Sequence, residues 1–251
     1  MPLTWYDSHR PQCRPLSSTL RKEGVALGTI IIQKETTPDP ISLIGREAGV
    51  CWGADIGDPE KNYKRGMGCL TSGHGRTWEY PQVYVVMDGY SARVFREFYT
   101  HIAGGPSRLQ ASTRYIDYET GFAYVTPPKV EKNEEAKAVY DGAMADITKA
   151  LQKLDTLGIP REDCGMLLPL GMESKVVLRT NLRNLIDMAH QRLCTRAYWE
   201  YRDLMRDLME GLSSYSQEWK TLVDTYFVPK CDVTGFCTEA KSCGRRPKKE
   251  I

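Results

Sequence analysis

The sequence has almost no net charge. Against 34 Lys and Arg stand 32 Asp and Glu, a formal +2. This excludes bulk electrostatic attraction to nucleic acid or a membrane surface as the chain's main business, because each neutralised phosphate needs its own Lys or Arg. Any anion site must be local. Long apolar runs are missing too: the longest β-branched stretch, Thr29-Ile30-Ile31-Ile32, is strand-sized, whereas a membrane span needs roughly 18 apolar residues. Met1-Pro2-Leu3-Thr4-Trp5-Tyr6-Asp7 lacks the basic start and apolar centre of a secretory signal, so a soluble, cytoplasmic protein is expected. Cysteine is sparse, with 8 in 251 residues, too few for a disulfide scaffold, and a reducing compartment would keep them as thiols. No internal repeat and no long linker is visible.

What is present suits a folded core. With 41% hydrophobic and 26% charged residues, the composition is that of a globular chain, and its length fits one large domain or two small ones. The lack of a linker favours one α+β domain over residues 1–230, followed by a cysteine-bearing basic tail over 231–251. A strand is expected over 25–35, broken by Pro38 and Pro40, then a helix over 41–48. Gly66, Gly68, Gly73 and Gly75 punctuate a segment carrying His74, and a strand over 83–87 is stopped by Asp88-Gly89. Ser91 is a candidate N-cap for a helix to about residue 103, which Gly104-Gly105-Pro106 ends. Helical spacing of Ala138, Ala145, Ile147, Leu151 and Leu154 predicts a long amphipathic helix over 131–157. A short strand over 176–178, one long helix over 181–212 and a further helix over 214–226 complete the reading.

Three segments carry possible chemistry. In residues 107–115, backbone N–H groups, the hydroxyls of Ser112 and Thr113 and the Arg114 guanidinium would give a phosphate both hydrogen bonds and charge; a polar loop with an exposed arginine is the plainer reading. In the long helix, Leu182, Leu185, Ile186, Ala189, Leu193, Ala197 and Leu204 mark a buried stripe. Arg192 and Arg196 share a face with Trp199 one turn on, an arrangement suited to a planar anionic ligand such as a nucleotide, or else to surface arginines paired with acids. Cys231, Cys237 and Cys243 recur at intervals of six. With a fourth ligand such as Cys13 or a histidine they would make a zinc site, but the two close Cys pairs of such sites are missing. Free thiols and no metal are expected.

Ser112-Thr113-Arg114-Tyr115 follows an aromatic-rich helix. Leu168-Pro169 comes later, and twelve residues beyond that proline stands Asn181-Leu182-Arg183, followed by Arg192 and Ala197-Tyr198-Trp199-Glu200-Tyr201-Arg202. In order and spacing this set resembles the flavin-dependent thymidylate synthases over about residues 41–202, and Gly73-His74 with Trp78-Glu79-Tyr80 adds to it. The resemblance implies one thymidylate-synthase-complementing-protein-like domain, a mixed sheet with long helices, assembled as a homotetramer with active sites between subunits. It implies an enzyme that uses FAD, NADPH and methylenetetrahydrofolate to methylate dUMP reductively to dTMP, with no cysteine nucleophile. By position, Arg192 would polarise the pyrimidine, and Ser112 and Arg114 would hold the dUMP phosphate. Gln110 stands where a nucleotide- or flavin-contacting acid is usual. His74, Glu79, His101, Asn181, Arg183 and Asp187 fall in cofactor-binding positions.

The sequence also departs from the family pattern. The family signature is Arg-His-Arg, seven residues, then Ser; here the order is Tyr99-Thr100-His101, ten residues, then Ser112. Two flavin-facing arginines are missing, and Arg93, Arg96 or Arg108 would have to supply charge from a new direction, Arg96 toward the substrate. Another family arginine falls on Gly165. These changes motivate an alternative, a related flavin enzyme modifying another pyrimidine nucleotide, for example by hydroxymethylation. A third reading is a non-catalytic binder of nucleic acid or a partner through the cysteine-rich tail; for the enzyme, no nucleic acid and no membrane is expected as partner.

Overall fold

A computed structural model describes residues 28–249. The first strand appears as β1 (Thr29–Ile32); the earlier part of its expected range, and Cys13, lie outside the described residues. Next come α1 (Pro40–Cys51) and α2 (Pro59–Thr71), each opening on proline, whose missing N–H costs nothing in the first turn. Asp58 caps α2 by accepting from the backbone N–H groups of Glu60 and Lys61 at 3.0 and 3.1 Å. Asp39 makes no such bond ahead of α1. There Glu218, from far along the chain, accepts from Ile41 N–H and Ser42 N–H at 2.7 and 3.0 Å, supplying both the missing acceptor and a negative charge at a helix N-terminus. The two helices meet backbone to backbone: a side chain at Gly45 would strike the Asn62 carbonyl, and one at Gly66 the Ile41 carbonyl.

The remaining elements are β2 (Gln82–Ser91), α3 (Ala92–Phe98), β3 (Ser107–Gln110), α4 (Pro128–Glu131), α5 (Glu134–Thr156), α6 (Arg161–Cys164), β4 (Glu173–Asn181), α7 (Leu182–Arg192), α8 (Trp199–Tyr215), α9 (Gln217–Tyr226) and α10 (Lys230–Thr234). β2 runs past its expected stop. Gly89 takes φ 81°, and a bulge between Asp88 and Tyr90 absorbs the turn residues without ending the ladder. Ser91 does cap α3, its Oγ accepting from Val94 N–H at 3.2 Å. The helix is shorter than expected because the chain turns after Phe98 toward Gly104 and Gly105, both at positive φ.

The strand order is β1-β2-β4-β3. The fold class stands as α+β, but the sheet expected as mixed is antiparallel at all three described pairings. The path explains this: β2, α3 and β3 form a crossover that leaves a gap in the sheet, and β4 fills it, running opposite to both neighbours. Strand and helix then repeat one device. β2 ends in Ser91 opposite Glu173, β4 ends in Asn181 opposite Gln82, and each strand passes directly into a helix capped by its own last residue. Val83, Val85 and Met87 of β2 and Val176 and Leu178 of β4 are buried with Phe95, Phe98, Leu182, Leu185 and Leu204 in the main core. A smaller cluster of Phe122, Met144, Leu151, Cys164 and Met172 lies beside α5.

The helix expected over 181–212 is two helices. α7 ends at Arg192, a turn over 193–198 intervenes, and α8 starts at Trp199. The buried residues give the reason. At 100° per residue the stripe Leu182, Leu185, Ile186, Ala189 and the set Tyr201, Leu204, Met205, Leu208, Leu212 differ in phase by about 100°, so one straight helix could not bury both. The break also delivers Glu200, fully buried, to the β2–α3 junction. Its carboxyl group accepts from the Ser91 N–H at 2.6 Å and the Ser91 hydroxyl at 2.5 Å, and from the Tyr198 hydroxyl at 3.3 Å.

Candidate active site

Arg192 sits at the last residue of α7, where a cation favours the helix C-terminus. Its Nε donates to His101 Nε2 at 3.0 Å and Nη1 to Glu97 Oε2 at 3.1 Å, with Nη2 at 3.4 Å from Thr100 Oγ1. The guanidinium stands 4.5 Å from the centre of the Tyr201 ring, and the side chain is 19% exposed. A half-buried cation fixed on three sides and backed by an aromatic face has little freedom and reduced solvent screening.

His101 is buried, and burial, followed by the nearby Arg192 and Arg108 charges, pushes its pKa down to about 4. At neutral pH the ring is uncharged, so Nε2 accepts from Arg192 and Nδ1 carries the proton. Arg108 enters the same cluster from β3. It donates to the carbonyls of His101 and Tyr99, and its guanidinium lies 5.5 and 5.2 Å from the Phe98 and Tyr99 ring centres. Of the three arginines considered as replacements, Arg108 is thus the one brought to His101. Arg96 is exposed on α3, and Arg93 stacks at 5.0 Å on Tyr198.

A depressed histidine pKa has a defined sign. The unfolded chain binds the proton near pH 6.5 and the folded chain only near pH 4. The neutral ring's contribution is therefore present above pH 6.5 and is lost as the pH falls to 4, an effect of about 3 kcal/mol. Urea unfolding of the native chain should lose that much more stability across this window than His101→Gln does. Parallel pH profiles of the two proteins would refute the assignment.

A second group lies at the other end of α7. Arg183 Nη1 pairs with Glu79 Oε1 at 2.7 Å, beside the 3-10 helix Gly75–Glu79 that follows the exposed His74. Asn181 is buried, accepts from the Asn184 N–H at 2.9 Å and packs its amide against Gly104, so its side chain serves the α7 cap. Asp187 is exposed one turn beyond Arg183 on the same helix face.

The third group is the 112–115 loop. Ser112 Oγ accepts from Arg114 N–H at 3.2 Å, and Arg114 pairs with Glu162 of α6 at 3.0 Å, the two side chains 63% and 56% exposed. Gln110 Nε2 is 3.3 Å from Ser174 Oγ. Gly165 faces this loop: a Cβ there would lie 3.4 Å from Thr113. An exposed ion pair of this kind contributes at most about 1 kcal/mol, so a phosphate dianion can displace Glu162 from Arg114.

One chain does not gather the three groups. Gln110 is opposite Val176, five residues before Asn181, which puts the end of β3, from which the 112–115 loop leaves, about 17 Å along β4 from the start of α7. Arg183 and Arg192 are about 14 Å apart along the helix. The expected shared face of Arg192, Arg196 and Trp199 is not formed, because α7 ends at the first of them and Arg196 falls in the turn. Sequence reasoning misses Glu97, Thr100 and Tyr201 as partners of Arg192; the one local signal is Glu97 preceding His101 by four residues. The tail is not a free basic arm: Arg245 and Arg246 both pair with Asp232, at 2.5 and 2.8 Å. No helix among the described residues is long and apolar enough to cross a membrane.

The family model described as Thymidylate synthase complementing protein matches residues 34–215. The flavin-dependent thymidylate synthase of Nitratidesulfovibrio vulgaris is 29% identical over 237 residues, covering 85% of this chain and 94% of that protein. Its counterpart from Clostridium tetani is 26% identical over 247 residues, covering 88% and 96%. A crystal structure of thymidylate synthase X from Helicobacter pylori with FAD and dUMP superposes with a TM-score of 0.59 at 18% identity, covering 78% of this chain and 99% of that one.

Proposed function

The chain belongs to the thymidylate synthase complementing protein family, and from that premise we propose that it is a flavin-dependent thymidylate synthase, methylating dUMP to dTMP with FAD, NADPH and methylenetetrahydrofolate. The observation that carries the reading is the anchored Arg192. When uracil C5 becomes nucleophilic, negative charge builds on the pyrimidine carbonyl. A permanently charged guanidinium held against that oxygen by His101 and Glu97 stabilises it without a covalent enzyme intermediate. The neutral ring of His101 suits this role, because it holds Arg192 without adding a second positive charge that would push it away.

Ser112 Oγ, the loop N–H groups and Arg114 take the dUMP phosphate once Glu162 swings aside, with Gln110 at its edge. The donor set at the start of α7 fits the diphosphate of FAD. Arg183 is half-exposed, Gly75 leaves its flank open with a Cβ position 3.6 Å from the guanidinium carbon, and His74 stands exposed beside it. Glu79 and Asp187 would then face ribose or ring donors. FAD, when bound, supplies the two-electron chemistry of the methylation. Assembly as a homotetramer with sites between subunits accounts for the spread of the three groups, since a neighbour's loop can meet this chain's Arg192. The same proposal takes 1–230 as the catalytic domain, 231–251 as its tail, and the cytoplasm as its location.

Gly165 favours a second reading. With glycine at 165, where the family pattern has an arginine, and with Arg108 in place of the signature charges, the site departs from the family pattern, as modification of another pyrimidine nucleotide would require. Both readings predict a yellow protein. NADPH oxidation should accelerate several-fold on addition of dUMP and little on addition of dCMP. Preferential acceleration by dCMP supports the second reading, and a protein that binds no added FAD contradicts both.

A further inference from the structure

The last turn of α7, the 193–198 turn and the C-terminal segment enclose a cavity of about 440 Å³, and among its lining residues are four cysteines, Cys194, Cys231, Cys237 and Cys243. We propose that this cavity holds an iron–sulfur cluster ligated by those four thiolates. The fold brings Cys194 from a helix end to three tail cysteines at least 37 residues away in sequence, a convergence that packing alone does not require.

The arrangement favours a cluster over a single ion. With Zn–S bonds of about 2.3 Å, a tetrahedral zinc draws its four sulfurs to within about 4 Å of one another. Among the described residues no three His, Cys, Asp or Glu side chains are grouped to hold a single metal ion; the four cysteines line a cavity instead. A cluster whose cysteines bind different iron atoms needs that wider spacing.

Charge and stability point the same way. Four thiolates bring four negative charges, and Arg196, Lys230, Lys241 and Arg245 line the cavity with them. The segment itself has little core: Cys237 is the one buried hydrophobic residue among the described residues after 230. Its backbone nevertheless sits at the centre of the fold-back, donating to Pro247 O at 2.7 Å and accepting from Lys249 N–H at 3.1 Å. A metal centre is the usual means by which so small a unit is held together.

The full-length chain, made with iron and sulfide supplied and purified without oxygen, should contain more than one iron per chain with matching acid-labile sulfide. On reduction with dithionite it should show an EPR signal distinct from a flavin radical. Cys237→Ser and Cys243→Ser should each lose iron several-fold with circular dichroism unchanged, while Cys51→Ser, on α1 and outside the cavity, should retain it. Zinc in place of iron, absence of metal after reconstitution, or iron content indifferent to both tail substitutions would each overturn the assignment. None of these readouts depends on turnover, so a negative result leaves the proposed nucleotide chemistry untouched.

Discussion

Arg192→Ala should lower dTMP formation by roughly 10²–10³-fold, the scale on which enzymes lose rate when a preorganised charge at a developing oxyanion is removed. Folding should be little affected, because the side chain lies at a helix end and is part-exposed. Arg192→Lys should be nearly as slow. Lysine keeps the charge but replaces the planar fork that reaches His101 Nε2 and Glu97 together with a single flexible ammonium. Free guanidinium ion should restore part of the activity of Arg192→Ala and none to a variant damaged elsewhere. If Arg192→Ala turns over at a near-normal rate, the polarising role is wrong.

The second large effect is on stability. Glu200→Leu should cost about 3 kcal/mol or more, since it leaves the buried N–H and hydroxyl of Ser91 without their acceptor. That corresponds to a fall in Tm of about 10 °C for a chain of this size. Glu200→Gln, which keeps one carbonyl oxygen, should cost less. The damage should also reach the site, because Ser91 starts the helix that carries Glu97 and leads into His101. A thermal midpoint within about 2 °C of the native value for Glu200→Leu would show that the Ser91 contacts are replaced at no cost.

Several of these features are legible in the sequence. Ser91 is legible as an N-cap and does cap, because a short polar side chain next to an apolar periodic run has few better uses; Asn181 caps α7 in the same way. The order of Ser112, Arg114, Asn181, Arg183 and Arg192 carries the family resemblance. What local pattern does not encode is long-range. The 181–212 segment reads as one helix because Leu204 lies near the phase of the first stripe, and only the burial of Tyr201, Met205 and Leu212 exposes the break. The partners of Arg192 come from α3 and α8, and no local spacing specifies that meeting. Arg108 is one candidate among three until β3 pairs with β4 and turns it toward His101. The fourth cysteine, Cys194, looks scattered in the sequence because its neighbours in space are more than thirty residues away along the chain.

The proposed reaction is tested without intermediaries by the mass of the nucleotide formed when the purified chain is incubated with FAD, NADPH, methylenetetrahydrofolate and dUMP. The expected product is dTMP, in which a methyl group has replaced the C5 hydrogen of dUMP, with Arg192→Ala making little of it under the same conditions. Unchanged dUMP from a flavin-loaded protein, or a hydroxymethylated product in place of dTMP, would contradict it.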